Sequence, residues 1–382
     1  MIPPSLEQGI AYHAAGALLS ANCYAPQKYV KRWSWEIFWM VQAAWCWLLW
    51  PIIGAALTIP HLLRVLAEAP PDRMLYSFLM GIAYGVGGTA FNISIRYIGF
   101  ALTYSIAVGL SSVLGTLVPP MVRGQFGAIL SKPGADWVIG GVVAGAAGIA
   151  ICGMAGHMKE KDLDASPGKR GEFSLLTGLL LSLLAGVLSA VYGFALEVAA
   201  PVADLAEHYG AGIWKGNVLY LFANTGAFVT AVLYSLYLAR KNHSLGELKS
   251  LPKGPGVSTL KWNYIFALLT GTLWYGQFFF YNLGHVHLGA QYAFSSWAIH
   301  MILLVLFSNA LAVLLKEWKG CTLRTRVIVA TGLAVLCGAI IMLTYGNRVG
   351  EESHEASRPA TLRSWLAEHR SVAAKLGVLF SK

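Results

Sequence analysis

The chain has 382 residues, 56% hydrophobic and 12% charged, with a net charge of +10 and a mean hydropathy of +0.58. A soluble domain carries about 25% charged residues, so this chain lacks the polar surface to face water along its length, and lipid must be the solvent for most side chains. The basic residues fall in short clusters between apolar runs, which argues against a nucleic-acid-binding face and reads as loops beside the cytoplasmic leaflet of a membrane.

A membrane span needs about 20 mostly apolar residues, and ten stretches meet that scale. In chain order they are Gly9–Ala25, Glu36–Ile59, Met74–Ile95, Gly99–Met121, Trp137–Gly156, Phe173–Val198, Ile213–Ala239, Asn263–Gly284, Gln291–Leu315 and Val327–Tyr345. The expected fold class is therefore an all-α integral membrane protein with ten transmembrane helices. The first span is short, and Met1–Gly9 has no lysine or arginine, so it is expected to be a retained helix rather than a cleaved leader. The fourth ends in Pro119-Pro120, expected to terminate it.

The odd-numbered loops hold 17 lysines and arginines and the even-numbered ones 5, counting Lys215 at the edge of the seventh span. The positive-inside rule then places odd loops in the cytoplasm and both termini outside. The longest hydrophilic connector, residues 157–172, divides the spans five and five, giving halves at 1–156 and 173–346 and a polar tail at 347–382. Gly16, Ser20, Ala21 and Tyr24 in the first span are echoed by Gly186, Ser189, Ala190 and Phe194 in the sixth. Glycine-rich span five is matched by Gly332 and Gly338 in span ten. Because five is odd, two such halves run in opposite directions, an inverted-repeat plan common in secondary carriers. In the tail, Leu362, Trp365, Leu366, Val372 and Leu376 recur at helical spacing, as in an amphipathic helix lying on a membrane.

Polar groups inside a span are costly and mark candidate sites. In span eight, Gln277 offers donors and an acceptor, with Trp274 and Tyr281 one turn to either side. A sugar needs this mixture of amide, hydroxyl and flat aromatic faces. In span nine, Gln291, Tyr292, Ser296, Trp297 and His300 follow within ten residues, and spacings of three and four bring Tyr292, Ser296 and His300 toward one face. Trp297 is expected to pack a sugar's apolar side. A histidine changes charge between about pH 5 and 8, so His300 is the expected proton-coupling residue, with Glu197 at the end of span six as a second. His13 in span one joins the substrate-binding candidates. Arg96 is read as an anchor, with Glu36 as its partner. His285 and His287 fall in the turn after span eight without a third ligand, so no metal site is expected. The five cysteines form no CxxC pair and read as small packing residues. There is no GxxxxGK[ST], HExxH or GxSxG string, so neither catalysis nor nucleotide hydrolysis is expected, no cofactor is implied, and energy should come from an ion gradient.

Several strings carry a specific likeness. Tyr24-Ala25-Pro26-x-Lys28-x-Val30-Lys31-x-Trp33-Ser34-Trp35-Glu36 resembles the first loop of the L-rhamnose–proton symporter family of the drug/metabolite transporter superfamily. So do Arg96-Tyr97-x-Gly99, Leu114-Gly115-Thr116-Leu117, Gln277-Phe278-Phe279-Phe280-Tyr281-x-x-Gly284-His285, Gln291-Tyr292, Ser296-Trp297, His300-Met301 and Lys316-Glu317-Trp318, all in order. The likeness spans roughly residues 9–345. It implies two inverted five-helix repeats that import a 6-deoxyhexose, L-rhamnose or a relative, together with a proton. The chain departs from the family pattern at Gly88, Ala90, Glu197 and Ala293. The other readings are a carrier for a different sugar or small metabolite, one that is sodium-coupled, or a membrane receptor that binds without transporting.

Overall fold

The computed structural model describes residues 6–98, 100–122, 124–163, 174–251, 260–288 and 295–356. Those residues form helices joined by short turns, with no strand among them. The long helices are α1 (Leu6–Asn22), α2 (Trp35–Thr58), α3 (Pro71–Ile98), α4 (Phe100–Val122) and α5 (Ala135–Leu163), followed by α6 (Leu175–Val198), α7 (Tyr220–Lys241), α8 (Leu260–Leu288), α9 (Ser296–Leu314) and α10 (Leu323–Ala356). In eight places, all of these but α1 and α8, a helix is long and apolar enough to cross a membrane. Helix α1 has 17 residues. Helix α8 has 29 residues but carries Lys261, Asn263, Gln277, Asn282, His285 and His287 along its length, which dilutes its apolar character.

The helices differ from their sequence outlines mainly at their ends. Helix α4 continues through Pro119 and Pro120 to Val122, because a proline's fixed φ is helical and near a helix end only a donor or two is lost. Helix α8 runs on to Leu288, so His285 and His287 sit in its last turn instead of a loop, and His287 Nδ1 lies 2.7 Å from the Leu283 carbonyl. Helix α10 extends beyond Asn347 to Ala356, helped by the i,i+4 pair of Arg348 and Glu352. Part of the 157–172 connector is the end of α5; the rest, and the amphipathic pattern after Leu362, lie outside the described residues. Within α2 the backbone widens into a π turn at Ala44–Leu49. Pro51 has no N–H to bond the carbonyl four residues back, which loosens the ladder there and rotates Cys46 and Trp47 inward.

Helix pairing is specific. Helix α1 lies on α8 and α9, α6 on α3 and α4, α5 on α10, α3 on α7 and α8 on α2. Small residues allow these approaches, as expected where lipid supplies no hydrophobic drive between helices. Gly141 and Gly148 of α5 receive Leu343 and Leu336 of α10, and Gly145 receives Ile302 of α9. At the α3–α7 crossing the backbones themselves touch: a Cβ on Gly81 would overlap the Ala223 carbonyl, and one on Gly226 the Phe78 carbonyl. Gly81→Ala is therefore expected to lose about 1–3 kcal/mol to overpacking and to melt earlier in detergent. Gly338→Ala, whose added methyl meets nothing within 4 Å, should melt like the parent. Equal melting of the two variants would remove the close crossing from the account of stability.

Polar bonds tie the connecting segments together at the two ends of the bundle. Glu36 accepts from Asn242 Nδ2 at 2.9 Å and Ser244 Oγ at 2.8 Å, so its partners include the loop after α7. Glu247 accepts from the backbone and hydroxyl of Ser34 at 2.6 and 2.7 Å. Asp162 at the end of α5 accepts from Thr325 Oγ1 at 2.6 Å and from Thr322 N at 2.9 Å. The Thr325 hydroxyl and the Thr322 N–H hold the Asp162 carboxyl below its ordinary range and fix the start of α10 to α5. At the other end, Tyr209 donates to Glu68 at 2.7 Å and Lys215 pairs with Glu207 and Asp204.

Candidate functional site: a membrane cavity and a histidine layer

One large cavity, of about 980 Å³, enters the bundle, at the upper end of the roughly 300–1,000 Å³ usual for small-molecule sites. Its walls include Ser20 to Ala25 at the end of α1 and in the turn after it, the first half of α2, Tyr84 to Ile95 of α3, the first part of α4, Cys152 to Lys159 of α5 and Met301 to Ala312 of α9. These are the helix ends that meet loops one, three, five and nine. The cavity therefore opens on the face of the odd-numbered loops. Lys28, Lys159, Glu160, Glu317 and Trp318 stand around its mouth. Glu317 pairs with Lys159 at 3.0 Å and with Lys28 at 3.5 Å, joining three segments. Burial opposes ionisation of Glu317, but the two lysines outweigh it and hold its carboxyl below the ordinary range.

Deep in the cavity stand Gln277 and Trp274 of α8. Gln277 is 8% exposed, and among the described residues its amide has no hydrogen-bond partner. What remains accessible of it lines the cavity. Trp274 packs by its edges against Tyr24, Trp39 and Trp47 at centroid distances of 5.4, 5.7 and 5.4 Å. Trp35 stacks on Trp39 at 5.3 Å, and Tyr84 adjoins Trp47 at 6.5 Å. The result is an aromatic wall drawn from α2, α3, α8 and the turn after α1, around one open amide. Ser20, Asn92, Ser105, Ser189, Ser308 and Asn309 are among the other polar residues of the lining. Sequence reasoning singled out Trp274 and Gln277 as site residues but not Trp39, Trp47 or Tyr84, and it met Tyr24 and Trp35 only within the family-like string and the helix echoes. The i,i+4 spacing of Trp35 and Trp39 and the proline after Trp47 were the available signals.

The other residues singled out in the sequence gather elsewhere. His13, Tyr281, Ser296, Trp297 and His300 form a closed layer beyond the inner end of the cavity, toward the opposite face. His13 Nε2 lies 2.9 Å from Ser296 Oγ, and the His13 and His300 rings are 5.8 Å apart. The Tyr281 ring touches both, at 5.3 and 5.4 Å. Trp297 is 7% exposed, packs edge-on to Tyr281 at 5.6 Å and donates its indole N–H to the Ser111 carbonyl at 3.0 Å. In this conformation it therefore braces α9 against α4 instead of facing the cavity. Glu197 of α6 acts electrostatically on Tyr281 and does not line the cavity. Gln291 and Tyr292 lie outside the described residues, as does the Arg96 side chain. Among the described residues no three histidines, cysteines or carboxylates converge as metal ligands.

An aromatic wall with an open amide, entered from one face and sealed at the other, can hold a neutral polyol and expose it to one side at a time. Comparison with known proteins points the same way. The sequence matches the family model described as L-rhamnose-proton symport protein (RhaT) over residues 3–350. It is 33% identical over 348 residues to proteins named L-rhamnose-proton symporter from Yersinia pestis (strain Pestoides F) and Yersinia pseudotuberculosis serotype O:3 (strain YPIII), covering 90% of this chain and 96% of each relative. A protein of the same name from Cronobacter sakazakii (strain ATCC BAA-894) is 33% identical over 345 residues, 90% of this chain and 98% of its own length. With the match running through α1 to α10 and every strip of the cavity wall, the chain belongs to the L-rhamnose-proton symport protein family.

Proposed function

We propose that this protein imports L-rhamnose or a related 6-deoxyhexose across the bacterial inner membrane together with a proton, as a carrier and not an enzyme. The observation that carries the substrate reading is the open Gln277 amide inside the ring of Trp39, Trp47, Trp274 and Tyr24. The amide can both donate to and accept from ring hydroxyls. The indole faces suit the C–H side and the 6-methyl group, which are less polar than the same region of an ordinary hexose. The family and the names of its members support rhamnose as substrate and the proton as coupling ion. Uptake of labelled L-rhamnose into membrane vesicles tests this reading: accumulation should follow an inwardly acidic-to-alkaline gradient and collapse when a protonophore is added. Accumulation driven equally by sodium at uniform pH would replace the proton in the scheme.

The architecture in this reading is ten spans in two inverted five-helix repeats, with α1 and α8 completing the set as the polar, site-bearing helices. Helix pairing supports it. Exchanging each helix for the one five places away converts the α1–α8 contact into α6–α3, α1–α9 into α6–α4 and α2–α8 into α7–α3, and every one of these pairs is in contact. Alternating access then follows from rocking one repeat against the other around Gln277.

Orientation follows from the loop charges, with the odd loops and the cavity mouth in the cytoplasm; the structure in hand is then the inward-open state. Cysteine placed at exposed Lys249 in a cysteine-free background should resist a membrane-impermeant maleimide in whole cells. Cysteine at Asp204, whose side chain is 71% exposed, should be labelled. The reverse pattern would invert the topology and make this the outward-open state.

A further inference from the structure

His13 and His300 face each other across the α1–α9 contact, one 0% and the other 2% exposed. We propose that the two imidazoles form a single proton site, so that His13 is a second proton-coupling residue that holds one shared proton with His300. This rests on the symport reading above and deepens it.

Four observations point to the pair and not to one histidine alone. The rings lie 5.8 Å apart, and each keeps a buried Nδ1 that has no hydrogen-bond partner among the described residues. His13 Nε2 is fixed on Ser296 Oγ at 2.9 Å, which leaves Nδ1 of that ring as the place where a proton can arrive or depart. The Tyr281 ring contacts both imidazoles, so the same π face or edge meets whichever ring carries the charge. Glycines seat both rings: a Cβ on Gly284 would lie 2.8 Å from the His13 ring, and one on Gly16 3.2 Å from His300 Cε1.

The surroundings favour one proton over two. The groups that face His13 are His300 and Ser296 from α9 and Tyr281 and His285 from α8. Lys215 acts on His285 from the turn before α7, and Glu197 acts on Tyr281 from α6. No carboxylate among these touches either imidazole directly. Two imidazolium ions this close in a dry layer repel strongly, so the pair titrates as a unit and takes up one proton in its working range. In the balance of a transport cycle, a proton enters from the outer side onto one Nδ1, and the same proton leaves to the cytoplasm after the sugar.

The test uses purified protein in liposomes, with three readings: accumulation of labelled L-rhamnose under a pH gradient, equilibrium exchange of labelled for unlabelled rhamnose, and the pH profile of that exchange between about pH 5 and 8. His13→Gln is expected to lose about tenfold or more of its accumulation, to go on exchanging, and to flatten the pH profile. The double variant with His300→Gln should be no worse than either single change, as for residues acting as one unit. Ser296→Ala keeps both rings and should displace the pH profile; it decides the matter if His13→Gln yields no folded protein. Wild-type accumulation or an unmoved pH profile in His13→Gln, or an unmoved profile in Ser296→Ala, overturns the shared site. A parent protein that exchanges rhamnose but never accumulates it under a pH gradient would instead sink the symport reading.

Discussion

Replacing Gln277 with alanine is expected to weaken L-rhamnose binding by about one to two decades. The side chain lines the cavity, and among the described residues its amide has no hydrogen-bond partner, so its hydrogen-bonding capacity is open to a ligand. Removing it leaves sugar hydroxyls without partners in a site walled by indoles, at roughly 1–3 kcal/mol for an unsatisfied group. About 1.4 kcal/mol corresponds to a factor of ten. The bundle itself should tolerate the change, because among the described residues no hydrogen bond is lost with the Gln277 amide. Its carbonyl, which lies against Gly16 of α1, is backbone and survives any substitution. Titration of tryptophan fluorescence with L-rhamnose measures the effect directly, since Trp274, Trp39 and Trp47 surround the site. Gln277→Glu separates geometry from charge: it keeps the acceptor and the length, loses the donor, and should fall between the parent and the alanine variant. An unchanged affinity in Gln277→Ala would move the sugar away from this part of the cavity.

Much of this arrangement could be read from the sequence because a bilayer constrains the chain strongly. Apolar runs of a fixed length must be helices, and eight of the ten stretches anticipated fall on helices long and apolar enough to cross a membrane, while the first and eighth fall on α1 and α8. Helix ends were less legible. Nothing between Gly284 and Leu288 breaks a helix, so α8 continues through two histidines that polarity alone would assign to a loop. Asn347 is likewise polar yet buried, bonded to Ser295 at 3.0 Å, and α10 passes straight through it. Within the site, mid-span polar residues marked themselves by their cost, which is why Gln277 and His300 stood out. The aromatic wall did not, since tryptophans also serve as packing and as interface anchors. Which role each takes depends on helix rotation, and in α2 that rotation is set by a π turn. The separation of the candidates into a cavity group and a sealed layer was also hidden. Trp274 and Trp297 look alike in sequence, but one lines the cavity while the other spends its N–H on Ser111.

That separation shapes the second large effect. His300→Gln is expected to abolish accumulation of L-rhamnose against a gradient while leaving part of the exchange activity. His300 is adjacent to Met301, which lines the cavity, yet its own ring points into the sealed layer with His13 and Tyr281. A contiguous run of rings joins the two regions, from Trp47 to Tyr84, Tyr192, Trp297 and Tyr281, at centroid distances of 6.5, 4.6, 6.4 and 5.6 Å. Sugar in the cavity and charge in the layer therefore press on the same packed elements. In the proposed cycle, a proton on the histidine layer would add a desolvated cation to the contact that seals the outer face, favouring the parting of α1 from α9 where the outside is acidic. Loss of that proton to the less acidic cytoplasm would then restore the seal and leave the cavity open inward. Glutamine approximates the size and hydrogen bonding of the neutral ring, so the seal should form, but it cannot take up charge. The carrier then keeps the sugar-dependent steps and loses the proton-dependent one. Exchange needs only that loaded carrier cross in both directions, whereas accumulation needs the proton's free energy. A His300→Gln protein that concentrates rhamnose as the parent does would make the ring a packing element and transfer the proton to Glu197 of α6, whose charge already reaches Tyr281.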